Sequence, residues 1–136
     1  MFEPATAATL QPLKGLQVLL VEDEPDIAVL LTYVLEHSGA AVLAATTALE
    51  ALAVLNVQRP QLLVCNRRLP DLEGTQLLEQ VRQAEDAAIH QLPAIAVTSY
   101  DREYSAVDAF STGFDYFLAK PIEPDSLVEV ILQLIA

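Results

Sequence analysis

The chain is poor in cysteine, in basic residues and in long apolar runs, and each shortage excludes something. One cysteine, Cys65, leaves no internal disulfide and rules out a cysteine-rich zinc site. It lies inside an apolar stretch, so it reads as a small buried hydrophobe. Lys and Arg number 7 against 19 Asp and Glu, a formal net charge of −12. Such a surface repels a phosphate backbone, and this domain is not expected to bind nucleic acid. No run approaches the roughly 18 apolar residues that span a bilayer. No basic segment followed by an apolar one opens the chain, so neither a membrane span nor a secretory signal is expected. A glycine-rich phosphate loop is also missing. Val21-Glu22-Asp23-Glu24 stands after the first apolar run and repels anions. A cytoplasmic location fits these absences.

What is present is apolar. The 136 residues make about one domain. Their hydrophobic fraction is 53% and their mean hydropathy +0.37. A parallel sheet covered on both faces accounts for this, because its strands read as continuous apolar runs.

Residues 1–13, with Pro4 and Pro12, read as a flexible tail, and the domain is expected over 14–136. Leu16 to Val21 is the first expected strand. Pro25 suits the first turn of a helix that carries Ile27, Leu30, Leu31, Val34 and Leu35 on one stripe. Gly39 is a candidate left-handed cap. Ala41 to Ala45 is a second strand. Thr46 or Thr47 caps a helix with Leu49, Leu52 and Leu55 inward. Leu62 to Asn66 is a third strand, and a helix with Leu77, Leu78 and Val81 follows Gly74. Ala94 to Thr98 is a fourth strand. A fourth helix is expected from about Arg102 to Thr112, with Val107 and Phe110 on one face. Tyr116 to Leu118 is a short fifth strand. The last helix starts near Pro124 and turns Leu127, Val130, Ile131 and Leu134 inward. Strands alternating with helices of this length imply right-handed βαβ units and an open doubly wound α/β sheet. Functional residues in such sheets gather beyond the carboxyl ends of the strands.

Those ends carry Glu22, Asp23 and Glu24 after the first strand, and Asn66, Arg67 and Arg68 after the third. Thr98 and Ser99 follow the fourth, and Lys120-Pro121 the fifth. Two acids, an amide, a hydroxyl and a lysine in this order, with Pro70-Asp71-Leu72-Glu73-Gly74 after Asn66, resemble the receiver domain of bacterial two-component response regulators. The resemblance runs from about Lys14 to Ala136. It implies a flavodoxin-like (βα)5 fold with a five-stranded parallel sheet in the order 2-1-3-4-5. It also implies that Glu22, Asp23 and the backbone carbonyl of Arg68 are metal ligands for Mg²⁺. Thr98 and Lys120 would hold the phosphoryl group, and Thr98 and Phe117 would form the switch. A cis peptide would precede Pro121.

The departure from the family is Asn66, which stands where the resemblance places the phospho-accepting aspartate. A carboxylate attacks a phosphodonor to give an acyl phosphate; an amide oxygen is far less nucleophilic. Three carboxylates facing one lysine leave a surplus of about two negative charges, whereas Glu22, Asp23 and Lys120 leave about one. Mg²⁺ binding is therefore expected to be weakened or lost. The Arg68 guanidinium is a candidate to fork onto Glu22 or Asp23 in its place. Asp71 is a nearby carboxylate, but its loop position makes it a poor substitute acceptor. The expected function is a non-enzymatic, receiver-like module acting through protein contacts. The alternative is an acceptor-dead, engineered form of a phosphorylatable receiver. The resemblance implies a histidine kinase, an effector domain or another receiver as partner. It also implies a homodimer route through the fourth helix, fifth strand and fifth helix, where Asp101 to Glu103, Tyr104 and Tyr116 lie.

Overall fold

The computed structural model describes residues 11–99 and 113–135. The expected helix at Arg102 to Thr112, with Val107 and Phe110, lies outside the described residues, as do Asp101 to Glu103 and Tyr104. Five parallel strands form one sheet in the order β2-β1-β3-β4-β5. They are β1 (Gln17–Val21), β2 (Ala41–Ala45), β3 (Leu62–Asn66), β4 (Ala94–Ser99) and β5 (Tyr116–Lys120). The helices are α1 (Pro25–His37), α2 (Ala48–Val57), α3 (Gly74–Arg82), a single turn α4 (Ala87–His90) and α5 (Pro124–Ile135). This is the flavodoxin-like arrangement expected.

Successive strand residues point to opposite faces, and both faces are covered. Leu20, Val64 and Ile95 pack with Leu35 of α1 and Leu127 and Ile131 of α5. Leu19, Cys65 and Ala96 pack with Leu55 of α2 and Leu77 and Leu78 of α3. This two-sided burial is why β1 and β3 read as unbroken apolar runs. Gly39 ends α1 at φ +100°, in the left-handed region expected for it. The body already includes Leu13, which is buried and donates its backbone N–H to the Ser38 carbonyl at 2.8 Å. The chain is therefore packed before residue 14, the expected start of the domain.

Two core expectations need correction. Leu49 is 64% exposed; α2 turns Leu55 inward as expected, but with Ala48 and Ala51 beside it in place of Leu49. Only Glu50 and Asn56 are polar in that helix, so its sequence leaves the inward face undetermined. Small side chains then let α2 lie close to the sheet. Leu30 is 46% exposed; with Ile27, Leu31, Lys120, Pro121 and Ile122 it lines a cavity of about 330 Å³. The turn α4 has no apolar period to announce it; Asp86 caps it by accepting the Ala88 N–H at 2.9 Å.

Candidate functional site

Parallel pairing brings the strand ends together. Val21 lies beside both Ala45 and Cys65, and Asn66 lies beside Val97. Thr98 lies beside Ala119, and Ser99 beside Lys120. Glu22 follows β1 directly and is buried, at 2% exposure. Asn66 and Thr98 are also buried, at 7% and 6%.

One amide joins the acids. Asn66 Nδ2 donates to Glu22 Oε2 at 3.0 Å and to Asp23 Oδ1 at 3.1 Å. Glu22 Oε2 also accepts the Glu24 backbone N–H at 3.1 Å. On the other side, Lys120 Nζ lies 3.2 Å from Glu22 Oε1 and 3.7 Å from Glu24 Oε1. Glu22 Oε2 is thus hydrogen-bonded to a neutral amide and a backbone N–H, while Oε1 forms an ion pair with an ammonium. Those are the partners that burial of a carboxylate requires. The peptide between Lys120 and Pro121 is cis, as expected.

The segment after Asn66 is folded back tightly. Arg67 donates its N–H to the Val97 carbonyl at 2.8 Å and accepts the Gly74 N–H at 2.6 Å. Arg68 and Glu73 form an antiparallel bridge. At Gly74 a Cβ would sit 2.5 Å from the Asn66 carbonyl oxygen, so only glycine fits there. Beneath the site, the Cys65 thiol lies 3.2 Å from the Asn66 carbonyl oxygen. Burial, and secondarily the negative charge of Glu22, pushes that thiol far above its ordinary range. Cys65 is therefore a buried hydrophobe that stays protonated.

The structure thus brings Glu22, Asp23, Asn66 and Lys120 into one contact network, with Thr98 on the next strand. Phe117 is half-buried against the α2–α3 side of the sheet. The Arg68 side chain is exposed. Asp71 is exposed too, and its carboxylate is engaged elsewhere: Oδ1 accepts the Ala48 N–H and Oδ2 the Leu49 N–H, both at 2.9 Å. Sequence reasoning missed this bond, because nothing local connects a loop acid to a helix over 20 residues earlier.

The donor set bears on metal binding. Glu22 and Asp23 supply hard oxygens of the kind Mg²⁺ prefers. The Asn66 amide directs N–H groups at both, presenting a donor where a cation needs an acceptor. It is the amide nitrogen, not the oxygen, that faces both acids. Among the described residues no group of three His, Cys, Asp or Glu side chains converges to hold one.

The family model for the response regulator receiver domain matches residues 18–132. An uncharacterized 14.6 kDa protein in the sodA1 3' region of Leptolyngbya boryana is 38% identical over 124 residues, covering 91% of this chain and 93% of that one. The response regulator Rre1 of Synechocystis is 34% identical over 122 residues, 89% of this chain; the chain spans only 52% of Rre1's length. Among solved structures, the receiver domain of the sensor histidine kinase PA1611 from Pseudomonas aeruginosa superposes with a TM-score of 0.81 at 26% identity. It covers 89% of this chain and 98% of its own, and carries a magnesium ion coordinated in its active site cleft. No helix among the described residues is long and apolar enough to cross a membrane. The sheet order, the polar cluster at its carboxyl edge and a family match over most of the length agree: the chain belongs to the response regulator receiver domain family.

Proposed function

We propose that this receiver domain takes no aspartyl phosphate and signals through protein–protein contact in a two-component or phosphorelay system. The observation that carries this reading is the Asn66 amide, which stands at the end of β3 with its nitrogen on both Glu22 and Asp23. In this reading Asn66 occupies the phospho-acceptor position. Its amide oxygen is a poor nucleophile, so no acyl phosphate forms. Glu22, Asp23 and the Arg68 carbonyl are the remnant of a metal site whose Mg²⁺ affinity is weakened or lost. Lys120 and Thr98 are the remnant of the phosphoryl pocket, and Thr98 and Phe117 of the switch. In the same reading the Arg68 guanidinium offsets the charge of Glu22 or Asp23. The domain catalyses nothing and works in the cytoplasm. Its partner is a histidine kinase, an effector domain or another receiver, and the face that includes β5 and α5 offers a route to a homodimer.

The test is intact mass after incubation with Mg²⁺ and acetyl phosphate, for the native chain and Asn66→Asp in parallel. Labelling of the variant alone supports a receiver pocket that lacks only its nucleophile. Labelling of the native chain overturns the proposal. If neither is labelled, the loss of phosphorylation stands but the pocket has changed beyond Asn66. Arg68→Ala in the Asn66→Asp background then asks whether the guanidinium is the cause.

A further inference from the structure

We propose that Asp71 is a positioning residue: it locks the loop beside Asn66 onto the N-terminus of α2, so the setting of the Asn66 amide depends on that helix. Three observations lead there. First, the carboxylate takes both leading amides of α2, Ala48 N–H and Leu49 N–H, each at 2.9 Å. Those amides have no partner within the helix. The helix already has its own cap, Thr47, whose hydroxyl accepts the Glu50 N–H at 3.0 Å. Asp71 is thus a second clamp arriving from another part of the chain.

Second, the loop around Asp71 is stiff. Pro70 fixes its own φ just before it. Leu69 and Leu72 flank it and pack against the α2–α3 core. The base of the loop is closed by the Gly74 N–H on the Arg67 carbonyl at 2.6 Å and by the Arg68–Glu73 bridge. A pull on the tip has little slack to absorb it.

Third, the returning end of the loop lies directly on Asn66. The space a Cβ on Gly74 would take is only 2.5 Å from the Asn66 carbonyl oxygen. Movement of the loop therefore reaches the Asn66 backbone, and with it an amide that must meet two carboxylates at once. The route runs from α2 through Asp71 and Gly74 to Asn66 and then to Glu22 and Asp23. It needs no phosphoryl group and no metal.

The experiment reads the Asn66 side-chain amide by ¹⁵N NMR in the native chain; its pair of signals is identified by its loss in Asn66→Asp. Asp71→Ala is expected to move that pair and to speed its hydrogen exchange about tenfold. Thr47→Ala weakens the same helix end without touching the loop, and is expected to leave the pair in place. Signals unmoved by Asp71→Ala, or moved equally by Thr47→Ala, overturn the proposal and leave Asp71 a plain cap. If Asp71→Ala does not fold, Asp71→Asn keeps one acceptor oxygen and must move the pair in the same direction; no movement overturns the proposal. The readout is separate from phosphorylation, so it stands or falls apart from the proposed function.

Discussion

The two edges of the sheet each carry a polar hub built on one side chain, and the hubs differ in kind. At the carboxyl edge Asn66 holds Glu22 and Asp23, partners that are side chains. At the amino edge Arg82, the last residue of α3, holds mostly backbone. Its guanidinium donates to the Gly113 carbonyl at 3.1 and 2.9 Å, to the His90 carbonyl at 2.9 Å and to the Leu92 carbonyl at 2.7 Å. It also reaches Asp115 Oδ2 at 3.2 Å, an oxygen that accepts the Ala94 N–H at 2.8 Å. Arg82 thus pins the entries to β4 and β5 together. Backbone partners cannot be exchanged by mutation, whereas side-chain partners can. The amino edge is therefore built for stability, and the carboxyl edge can change its chemistry while the fold stays.

The largest effect should come from breaking the amino-edge hub. Arg82→Met keeps much of the stem's packing but strands the Gly113, His90 and Leu92 carbonyls. Removing charged donors from such groups costs about 3 kcal/mol. Urea unfolding should show that loss, and Arg82→Lys should recover only part of it, because an ammonium lacks the fork. Full recovery by Lys would mean that charge, not geometry, holds this edge.

Next is Gly74→Ala, at the carboxyl edge but against backbone. With a Cβ 2.5 Å from the Asn66 carbonyl oxygen, the loop has to shift. The expected cost is about 2 kcal/mol, by the scale of overpacking. If urea unfolding shows under a quarter of that, the loop has more slack than its closing bonds imply.

Exchanging the side chain itself should cost less. Asn66→Asp faces three carboxylates with one Lys120, and repulsion should lower stability by about 1 kcal/mol without divalent ion. Millimolar Mg²⁺ should raise the melting temperature of Asn66→Asp and leave the native chain unmoved. A native chain stabilised as much as the variant would show that the Asn66 amide does not stand in a cation's way.

How much of this was readable follows from where the partners lie. Glu22, Asp23, Asn66, Thr98 and Lys120 were legible because parallel strands deliver their ends to one edge, and apolar runs mark where strands end. The inward face of α2 was not, because a helix with only Glu50 and Asn56 polar offers two equal faces. Leu30 shares the α1 stripe and so reads as core; it is instead part exposed and lines a cavity with Pro121 and Ile122. The Arg82 hub was invisible: its partners are mostly carbonyls, which carry no residue identity, and both Gly113 and Asp115 lie more than 30 residues away. Phe114, just before β5, is buried while Phe117 is half-buried, and one short aromatic segment does not rank the two.

The smallest effect concerns pH, and it belongs to exposed acids on clamps rather than to either hub. Desolvation works to raise the Asp71 carboxyl, but the Ala48 and Leu49 amides and those of Asp71 and Leu72 outweigh it and hold it below the ordinary range. Asp86 is likewise lowered, first by the Ala88 amide and then by the Arg59 guanidinium. A depressed carboxyl stabilises the fold in full above its unfolded pKa, near 4, and that share is lost as pH falls through the folded value. Unfolding free energy measured from about pH 5 down to about pH 2 should therefore fall less steeply in Asp71→Asn and in Asp86→Asn than in the native chain. Above about pH 6 the three curves should run parallel, because neither acid titrates there. An unchanged acid limb in Asp71→Asn would mean that its carboxylate is not held by α2, and would remove the first link in the route from that helix to Asn66.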